Sequence, residues 1–472
     1  MLYGRLYPIM RSFFQELRLT LALAVPITLG QLGQMLMPLI DAIMVKHLGG
    51  VLPLAAVAFG NLVVWIPMIA GFGICVAVHV QVASAHSAND RDEAGEVLRH
   101  GIWLSVIYGL ICSTLLQIGV NYLDLIPRVD PDVITAAKPF ISWIAWSIIP
   151  VLGYTSVKNY CEARNQAWLP LVVLLGSIGL NVLLNWIFIY GHCGITAMGV
   201  PGAGLATFLS RVIAWVVLFI IVQRTPDLRV NWQGGALARL GAERLRRMLT
   251  LGGPSAGQIL FEVGVFNLAT LLAGMLGKVV LDAHQIALNI AGVAYMIPLG
   301  LSQATGIRVS QAAGLGKFVE ARRIGWNSLT FSSVLMAAYA LFLLGTRHFL
   351  PEVFLTPTTT DARDALALSS KLLLWAAGFA VFDGTQIVCL GILRGLHDVR
   401  IPTLISFIGY WVLAAPLAWY LGLSLGWGGP GIWTGVSCGV LLVAVLLIAR
   451  FAVISRQRAR LEILAISRRE GI

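Results

Sequence analysis

Long apolar runs constrain this chain more than any other feature. Stretches of about 20 apolar residues recur along it, and that is the length an α-helix needs to cross the hydrocarbon core of a bilayer. Hydrophobic residues make up 58% of the chain and charged residues 12%, whereas an ordinary soluble protein is about a quarter charged. The mean hydropathy is +0.83. These features exclude a soluble globular protein and predict an integral membrane protein.

Twelve runs are long enough to be transmembrane helices, six before a polar segment and six after it. The predicted helices are 19–45, 51–84, 101–121, 139–160, 169–190, 201–222, 249–275, 283–312, 326–346, 372–393, 401–421 and 431–450. If the N-terminus is cytoplasmic, 24 of the 33 Lys and Arg residues lie on the cytoplasmic side and seven on the other. Positive charge accumulates on the cytoplasmic side of membrane proteins. The expected topology is therefore multi-pass, with twelve spans and both termini cytoplasmic.

The two halves of the sequence resemble each other at a constant offset, which aligns Pro26 with Pro254. Segments 48–61 and 276–289 share five of fourteen positions, and segments 202–210 and 429–437 share four of nine. Each half has six spans, an even number, so both enter the membrane from the same side and form parallel repeats. The predicted fold is all-α, with twelve transmembrane helices in two six-helix lobes that are related by pseudo-two-fold symmetry along the membrane normal and enclose a central cavity.

One long polar, basic segment divides the chain. It runs from 223 to 248 and is predicted to be a cytoplasmic linker between the lobes. The N-terminal lobe is then 1–222, the C-terminal lobe is 249–450, and a basic cytoplasmic tail covers 451–472. The net charge of +11 is spread over short loops and forms no continuous stripe, so a nucleic-acid partner is not expected.

Sequence motifs give no sign of an enzyme. The chain has no H-E-x-x-H, no G-x-S-x-G, no Walker-type phosphate loop and no G-x-G-x-x-G after a strand. Without an ATP-binding motif, transport by this chain is expected to be secondary, with no cofactor beyond a coupling ion.

Three acidic residues fall well inside predicted spans: Asp41, Glu262 and Asp383. A carboxylate at the bilayer centre costs about 3 kcal/mol on insertion scales, so such residues usually have a function. All three are therefore candidates for cation or proton coupling. Helix geometry places Glu262 and Asp383 at similar depths, where they could share one ion or proton. The structural alternative is that the acids pair with Arg211 and Arg308, the two basic residues predicted within spans.

Several sequence segments together resemble the multidrug and toxin extrusion (MATE) transporters, NorM-like branch, over essentially the whole chain. The resemblance is carried by the helix from Pro26 to Asp41 followed by LGG, by LNVLLNWIFIYG (180–191), by FEVGVFN around Glu262, by HQIALNIAGVAYMIPLGLSQATGIRVSQAAG (284–314) and by FDGTQIVCLGILRGLHDVRIP (382–402). The family implies a twelve-helix, two-lobed antiporter that exchanges Na⁺ or H⁺ for amphipathic, often cationic, drugs. The NorM-like branch also implies a location in a bacterial inner (cytoplasmic) membrane.

The resemblance also implies roles for particular residues. Glu262 and Asp383 would form the cation site of the C-terminal lobe, a candidate Na⁺ site. Asp41, with Asn181 and Asn185, would form a polar cluster in the N-terminal lobe. The chain departs from the DinF-like branch at Asn185, where that branch has an aspartate, and this favours Glu262 and Asp383 as the coupling pair.

Other polar and aromatic residues could belong to the site or simply pack in the fold. Gln34 occupies the repeat position of Glu262, and Asp41 that of Ala269, so the lobes are chemically unequal. Tyr295 could turn its ring or hydroxyl toward the cation site, or be an ordinary packed aromatic residue. His79 and His284 could relay protons, although packed and satisfied histidines are the favoured reading.

The function expected from these features is export of small amphipathic, mostly cationic compounds by a monomer in the lipid bilayer. One alternative from a different class is a flippase for a lipid-linked sugar or cell-wall precursor. A flippase needs several basic residues to hold a pyrophosphate, whereas the predicted midplane offers acids. A channel and a membrane-embedded enzyme also stay open.

Overall fold

The structure is a computed structural model, and it describes residues 2–125, 129–230, 241–356 and 358–470. All regular secondary structure in these ranges is helical. Twelve helical segments in this part are long and apolar enough to cross a membrane, which confirms the predicted all-α, twelve-span fold. Ten of the spans each lie within one long helix. These helices are α1 Leu2–Lys46, α2 Leu52–Ser87, α3 Arg91–Val120, α6 Trp168–Tyr190, α7 Val200–Arg224, α8 Ala242–Met275, α9 Lys278–Gly314, α10 Phe318–Thr346, α11 Thr360–Gly395 and α14 Gly428–Glu470.

The other two spans are assembled from shorter pieces. The fourth consists of α4 Pro131–Trp146 and α5 Ile148–Ala163, with Ser147 between them. The eleventh begins with α12 Arg400–Phe407 and contains α13 Ala415–Trp419. Two π-helical segments, Ile408–Ala414 and Tyr420–Ser424, complete it. A π-helix bonds each residue to the fifth along rather than the fourth, and such segments are frequent at functional sites.

Several helices run beyond their predicted ends. α8 begins at Ala242, inside the predicted linker, and α14 continues to Glu470, through the predicted tail. Both extensions are rich in Arg, Leu, Ala and Glu, which have high helix propensity, so charged flanks lengthen the helix instead of ending it. Of the linker, residues 231–240 lie outside the described residues.

The chain forms two compact units. One contains Met1–Thr28 and Gly257–Ile472, and the other contains Leu29–Ala256; they are called the C unit and the N unit below. The two division points, after Thr28 and after Ala256, are equivalent positions of the sequence repeat. They fall inside α1 and α8, so each of these helices belongs partly to each unit. The predicted lobe boundaries at 222 and 249 differ from these points and stay a prediction.

Close helix packing at the division points repeats in both units. In the C unit, Gly300 of α9 lies against Thr28 of α1, and in the N unit, Gly73 of α2 lies against Ala256 of α8. A Cβ atom on either glycine would overlap the facing backbone. Ala256 is the repeat equivalent of Thr28, and Gly300 lies within one position of the repeat equivalent of Gly73. Each unit thus packs the start of one repeat's first helix onto the second helix of the other repeat.

Candidate ion-binding sites

The C unit brings together two of the predicted acids. Glu262, on α8, is 6% exposed, and Asp383, on α11, is 7% exposed. The two carboxyl groups are close enough to interact electrostatically. Tyr295, on α9, donates a hydrogen bond from its hydroxyl to Glu262. Three spans therefore meet at one buried acidic pair. The hydroxyl of Tyr295 points to this pair, as in the first of the two alternatives for this residue.

Two further polar residues complete this acidic pair. Gln386 lies one helical turn after Asp383, and its Nε2 donates a hydrogen bond of 3.1 Å to Asp383 Oδ1. The same nitrogen donates to the hydroxyl of Tyr410, in the first π-helical segment. Gln386 and Tyr410 are almost completely buried. The i, i+3 spacing of Asp383 and Gln386 is a signal that the sequence contains, whereas nothing in it marks Tyr410.

A buried arginine lies beside the acidic pair but bonds elsewhere. Arg394 is in the last turn of α11 and interacts electrostatically with Glu262. Its Nε and Nη2 donate to Gln258 Oε1 at 3.1 and 2.8 Å, and Gln258 Nε2 donates to the backbone oxygen of Val399. The predicted helix ends at 393, which places Arg394 in a loop. In the structure α11 continues to Gly395, so Arg394 is a buried helical cation that the sequence did not place within a span.

The acidic pair has the chemistry of a cation or proton site. Within the described ranges, neither Glu262 nor Asp383 forms a salt bridge. The same ranges contain no group of three His, Cys, Asp or Glu side chains that could hold a metal ion. A cation bound by these two carboxylates would therefore take its other ligands from neutral oxygens, and two carboxylates without a cation favour sharing a proton.

The N unit brings together Asp41, Asn181 and Asn185, as the resemblance implies. Asn185 Nδ2 donates to Asp41 Oδ1 at 2.7 Å and to Asn181 Oδ1 at 3.3 Å. Thr207, on α7, donates to Asp41 Oδ2 at 2.6 Å and accepts a hydrogen bond from Asn181. All four side chains are buried. Both carboxylate oxygens of Asp41 are thus hydrogen-bonded, and Thr207 is a member that the sequence did not identify.

A guanidinium lies near this cluster. Arg211, one turn after Thr207 on α7, donates to the Ser147 hydroxyl at 2.6 Å and attracts Asp41 electrostatically. A basic residue therefore offsets the charge of Asp41, as in the structural alternative. Arg211 does not do so for the acidic pair of the C unit. Gln34 is partly exposed and has no hydrogen bond to the cluster among the described residues.

His79 and His284, the two candidate proton relays, are both buried. Trp433 Nε1 donates to His284 Nδ1 at 3.1 Å, and His284 Nε2 is 3.0 Å from the Thr270 hydroxyl. Since Nδ1 accepts a hydrogen bond from the indole, Nε2 carries the proton and His284 is neutral. Both ring nitrogens are engaged, which supports the packed reading of His284 over the relay.

Comparison with known proteins places these sites in a family. The MatE family profile matches residues 26–187 and 254–420, most of both repeats. The chain belongs to the MATE transporter family. Members of this family are transporters, not enzymes, and this one is a multi-pass membrane protein.

Bacterial relatives and solved structures agree with this assignment. Proteins named "Probable multidrug resistance protein NorM" are 34% identical in Mesorhizobium japonicum and 32% identical in Xylella fastidiosa. The matches cover 93% and 95% of this chain and 94% of each relative. The crystal structure of the eukaryotic MATE transporter AtDTX14 matches with a TM-score of 0.83 at 21% identity, over 95% of this chain and 99% of that one. A MATE crystal structure in a bent conformation gives 0.85 at 19%, over 95% and 97%. At these identities the structures show the shared fold.

Proposed function

We propose that this MATE transporter is a secondary active antiporter that exports amphipathic, mostly cationic drugs or toxic metabolites in exchange for Na⁺ or H⁺. The coupling ion binds at Glu262 and Asp383. One observation carries the proposal: two buried carboxyl groups lie close together in the C unit, and neither forms a salt bridge among the described residues. Like charges in a buried site need a cation or a proton, so the pair is suited to exchange one for the other.

Asp41 is a weaker candidate for the coupling group. Its two oxygens already accept hydrogen bonds from Asn185 and Thr207, and Arg211 supplies a nearby positive charge. A carboxylate stabilised in this way has less need of an external cation. We therefore assign Asp41 a supporting role in the N unit, together with Asn181.

The partners of three arginines on the spans favour drug export over transport of a lipid-linked anion. Arg308 donates to Glu16 and Thr20, and Arg394 donates to Gln258. Arg211 donates to the Ser147 hydroxyl. Each guanidinium thus has a protein partner, and binding a pyrophosphate there would require those hydrogen bonds to break.

Proteoliposomes provide the test. The purified protein is reconstituted, a Na⁺ or pH gradient is imposed, and movement of ethidium, an amphipathic cation, is followed by fluorescence. The proposal predicts gradient-driven ethidium transport by the wild type and its loss in Glu262→Gln and Asp383→Asn. Asp364→Asn is the matched control, because Asp364 is an exposed acid on the same helix as Asp383. Normal gradient-driven transport by either buried-acid variant would refute the coupling role.

We also propose that both termini lie in the cytoplasm, and that the protein works as a monomer in the bilayer with no cofactor or nucleic acid. Cys193, exposed between α6 and α7, should be on the outer face of the membrane. A membrane-impermeant maleimide should label it in intact spheroplasts. In a Cys193→Ser background, Arg460→Cys, in the exposed part of α14, should react only after permeabilisation. The reverse labelling pattern would show the opposite orientation.

A further inference from the structure

Gln386 has an unused oxygen beside the acidic pair. Its side chain is fully buried, and Nε2 donates to both Asp383 Oδ1 and the Tyr410 hydroxyl, which uses both amide hydrogens. Oε1 is buried and has no hydrogen-bond partner among the described residues. An unsatisfied buried carbonyl oxygen is destabilising, so one at this place needs an explanation.

The neighbours of Gln386 determine which way the amide faces. If Oε1 and Nε2 exchanged places, the oxygen would lie against the Asp383 carboxylate, and two acceptors would face each other. On the other side, the Tyr410 hydroxyl accepts the second amide hydrogen. Tyr410 belongs to the π-helical segment Ile408–Ala414, where the wider helical turn sets its position on the eleventh span. Two spans thus hold the carboxamide with its oxygen free.

We infer that Gln386 Oε1 is a ligand of the coupling ion and makes the site selective for Na⁺ over H⁺. This inference rests on the proposed function, because it assumes that the ion binds at Glu262 and Asp383. A carboxamide oxygen is a neutral, hard ligand of the kind that alkali and alkaline-earth cations take from proteins. Two carboxylates cannot complete the coordination of a metal cation, and Oε1 adds an oxygen without adding charge. A proton needs only one carboxylate and would leave Oε1 unused.

The decisive measurement is the Na⁺ dependence of ethidium transport in proteoliposomes at fixed pH. Gln386→Leu removes the oxygen at similar volume and should raise the half-saturating Na⁺ concentration by about ten-fold or more. Ethidium affinity without Na⁺ should stay within about two-fold, because the inferred ligand acts on the ion. Thr385→Val is the matched control: its hydroxyl donates to the backbone oxygen of Val381 in the same helix, so its Na⁺ dependence should be that of the wild type.

Gln386→Glu is the second variant, used if Gln386→Leu does not fold. Its carboxyl group keeps one oxygen at the place of Oε1, and its other oxygen, when protonated, can donate to Asp383 as Nε2 does. Na⁺ should therefore still drive transport with a half-saturating concentration no higher than that of the wild type. A large increase in that concentration would overturn the inference.

The outcomes separate this inference from the proposed function. If Glu262→Gln abolishes coupling but Gln386→Leu keeps wild-type Na⁺ dependence, Gln386 is not a ligand and the acidic pair still couples. If the wild type responds to a pH gradient and never to Na⁺, the inference also fails while the coupling role stands. If Glu262→Gln and Asp383→Asn transport normally, the proposed function itself fails.

Discussion

Arg308 and Glu16 form a salt bridge of 2.6 Å between residues 292 positions apart in the chain. Arg308 also donates to the backbone oxygen of Glu16 and to the Thr20 hydroxyl. Arg323, on α10, contacts the second carboxylate oxygen of Glu16, again at 2.6 Å. The side chains of Glu16 and Arg308 are 12% and 11% exposed. Together these contacts fix α1, around Glu16 and Thr20, to α9 and α10 within the C unit.

The second repeat contains the same attachment with the charges reversed. Arg244 occupies the repeat position of Glu16 and lies near the start of α8. It contacts Glu93 at 2.8 Å and Glu96 at 3.0 Å, both on α3, within the N unit. An acid on α1 and a base on α8 therefore form equivalent salt bridges at the same position of the repeat. Reversed polarity makes each attachment specific, since exchanging the partners would bring like charges together.

The attachment at Glu16 should contribute to stability. Glu16→Gln leaves Arg308 largely buried without its counter-ion, and breaking such a pair costs on the order of 3 kcal/mol. Thermal unfolding in detergent should show a clear fall in Tm. The control is Glu243→Gln, which breaks the exposed pair with Arg247 and should cost less than about 1 kcal/mol. Equal Tm values for the two variants would mean that the Glu16 contacts add nothing to stability.

The two groups of buried acids should respond differently to neutralisation. Glu262→Gln removes a buried charge that has no salt bridge among the described residues, so the free energy of unfolding should be unchanged or higher. Asp41→Asn instead replaces a carboxylate whose two oxygens both accept hydrogen bonds, from Asn185 and Thr207, with a loss of about 1 to 3 kcal/mol. Unfolding of the two purified variants, compared with the wild type, measures both effects. A larger loss for Glu262→Gln would contradict the view that the C-unit pair has a function rather than a structural role.

The sequence predicts the twelve spans because each span is a local property of about 20 residues. It also identifies Asp41, Glu262 and Asp383, since an acid within an apolar run is visible without knowledge of the fold. The partners of Asp41 come from distant spans, and Thr207 is 166 residues away from it. Which face of one helix packs on another depends on tertiary packing, which no single span encodes.

The π-helical segment at Tyr410 escapes sequence-based prediction for a related reason. Residues 401–421 contain the apolar pattern of a continuous α-helix, and hydropathy does not distinguish a turn of five residues from one of four. Sequence-based prediction also fails to place Arg394 in a helix, because a charged residue usually marks the end of an apolar span. Arg394 stays helical and buried because Gln258, 136 residues earlier, accepts two of its hydrogen bonds.

Gly300 should be intolerant of even one added methyl group. Its missing Cβ would lie 2.8 Å from the Thr28 Cα atom, so Gly300→Ala forces α1 and α9 apart and should cost about 1 to 3 kcal/mol. Gly292, on the same helix, has open space around its Cβ position. Gly292→Ala should hold or raise Tm, because alanine favours a helix by about 1 kcal/mol over glycine. If the two variants unfold at the same temperature, the close approach at Thr28 is not a stabilising contact.

Drug and coupling ion should exclude each other if both are attracted to Glu262 and Asp383. Mutual exclusion is a reciprocal effect: Na⁺ or acid must weaken ethidium binding as much as ethidium weakens theirs. For simple competition, Na⁺ at about ten times its own dissociation constant should raise the apparent ethidium Kd about ten-fold. Fluorescence polarisation of ethidium with the detergent-purified protein measures this, with N-methyl-D-glucamine chloride replacing NaCl to hold ionic strength constant. The dependence should be lost in Glu262→Gln and kept in Asp364→Asn. An ethidium Kd that is the same at low and high Na⁺, and at acid and neutral pH, would show that the drug does not compete with the ion for the acidic pair.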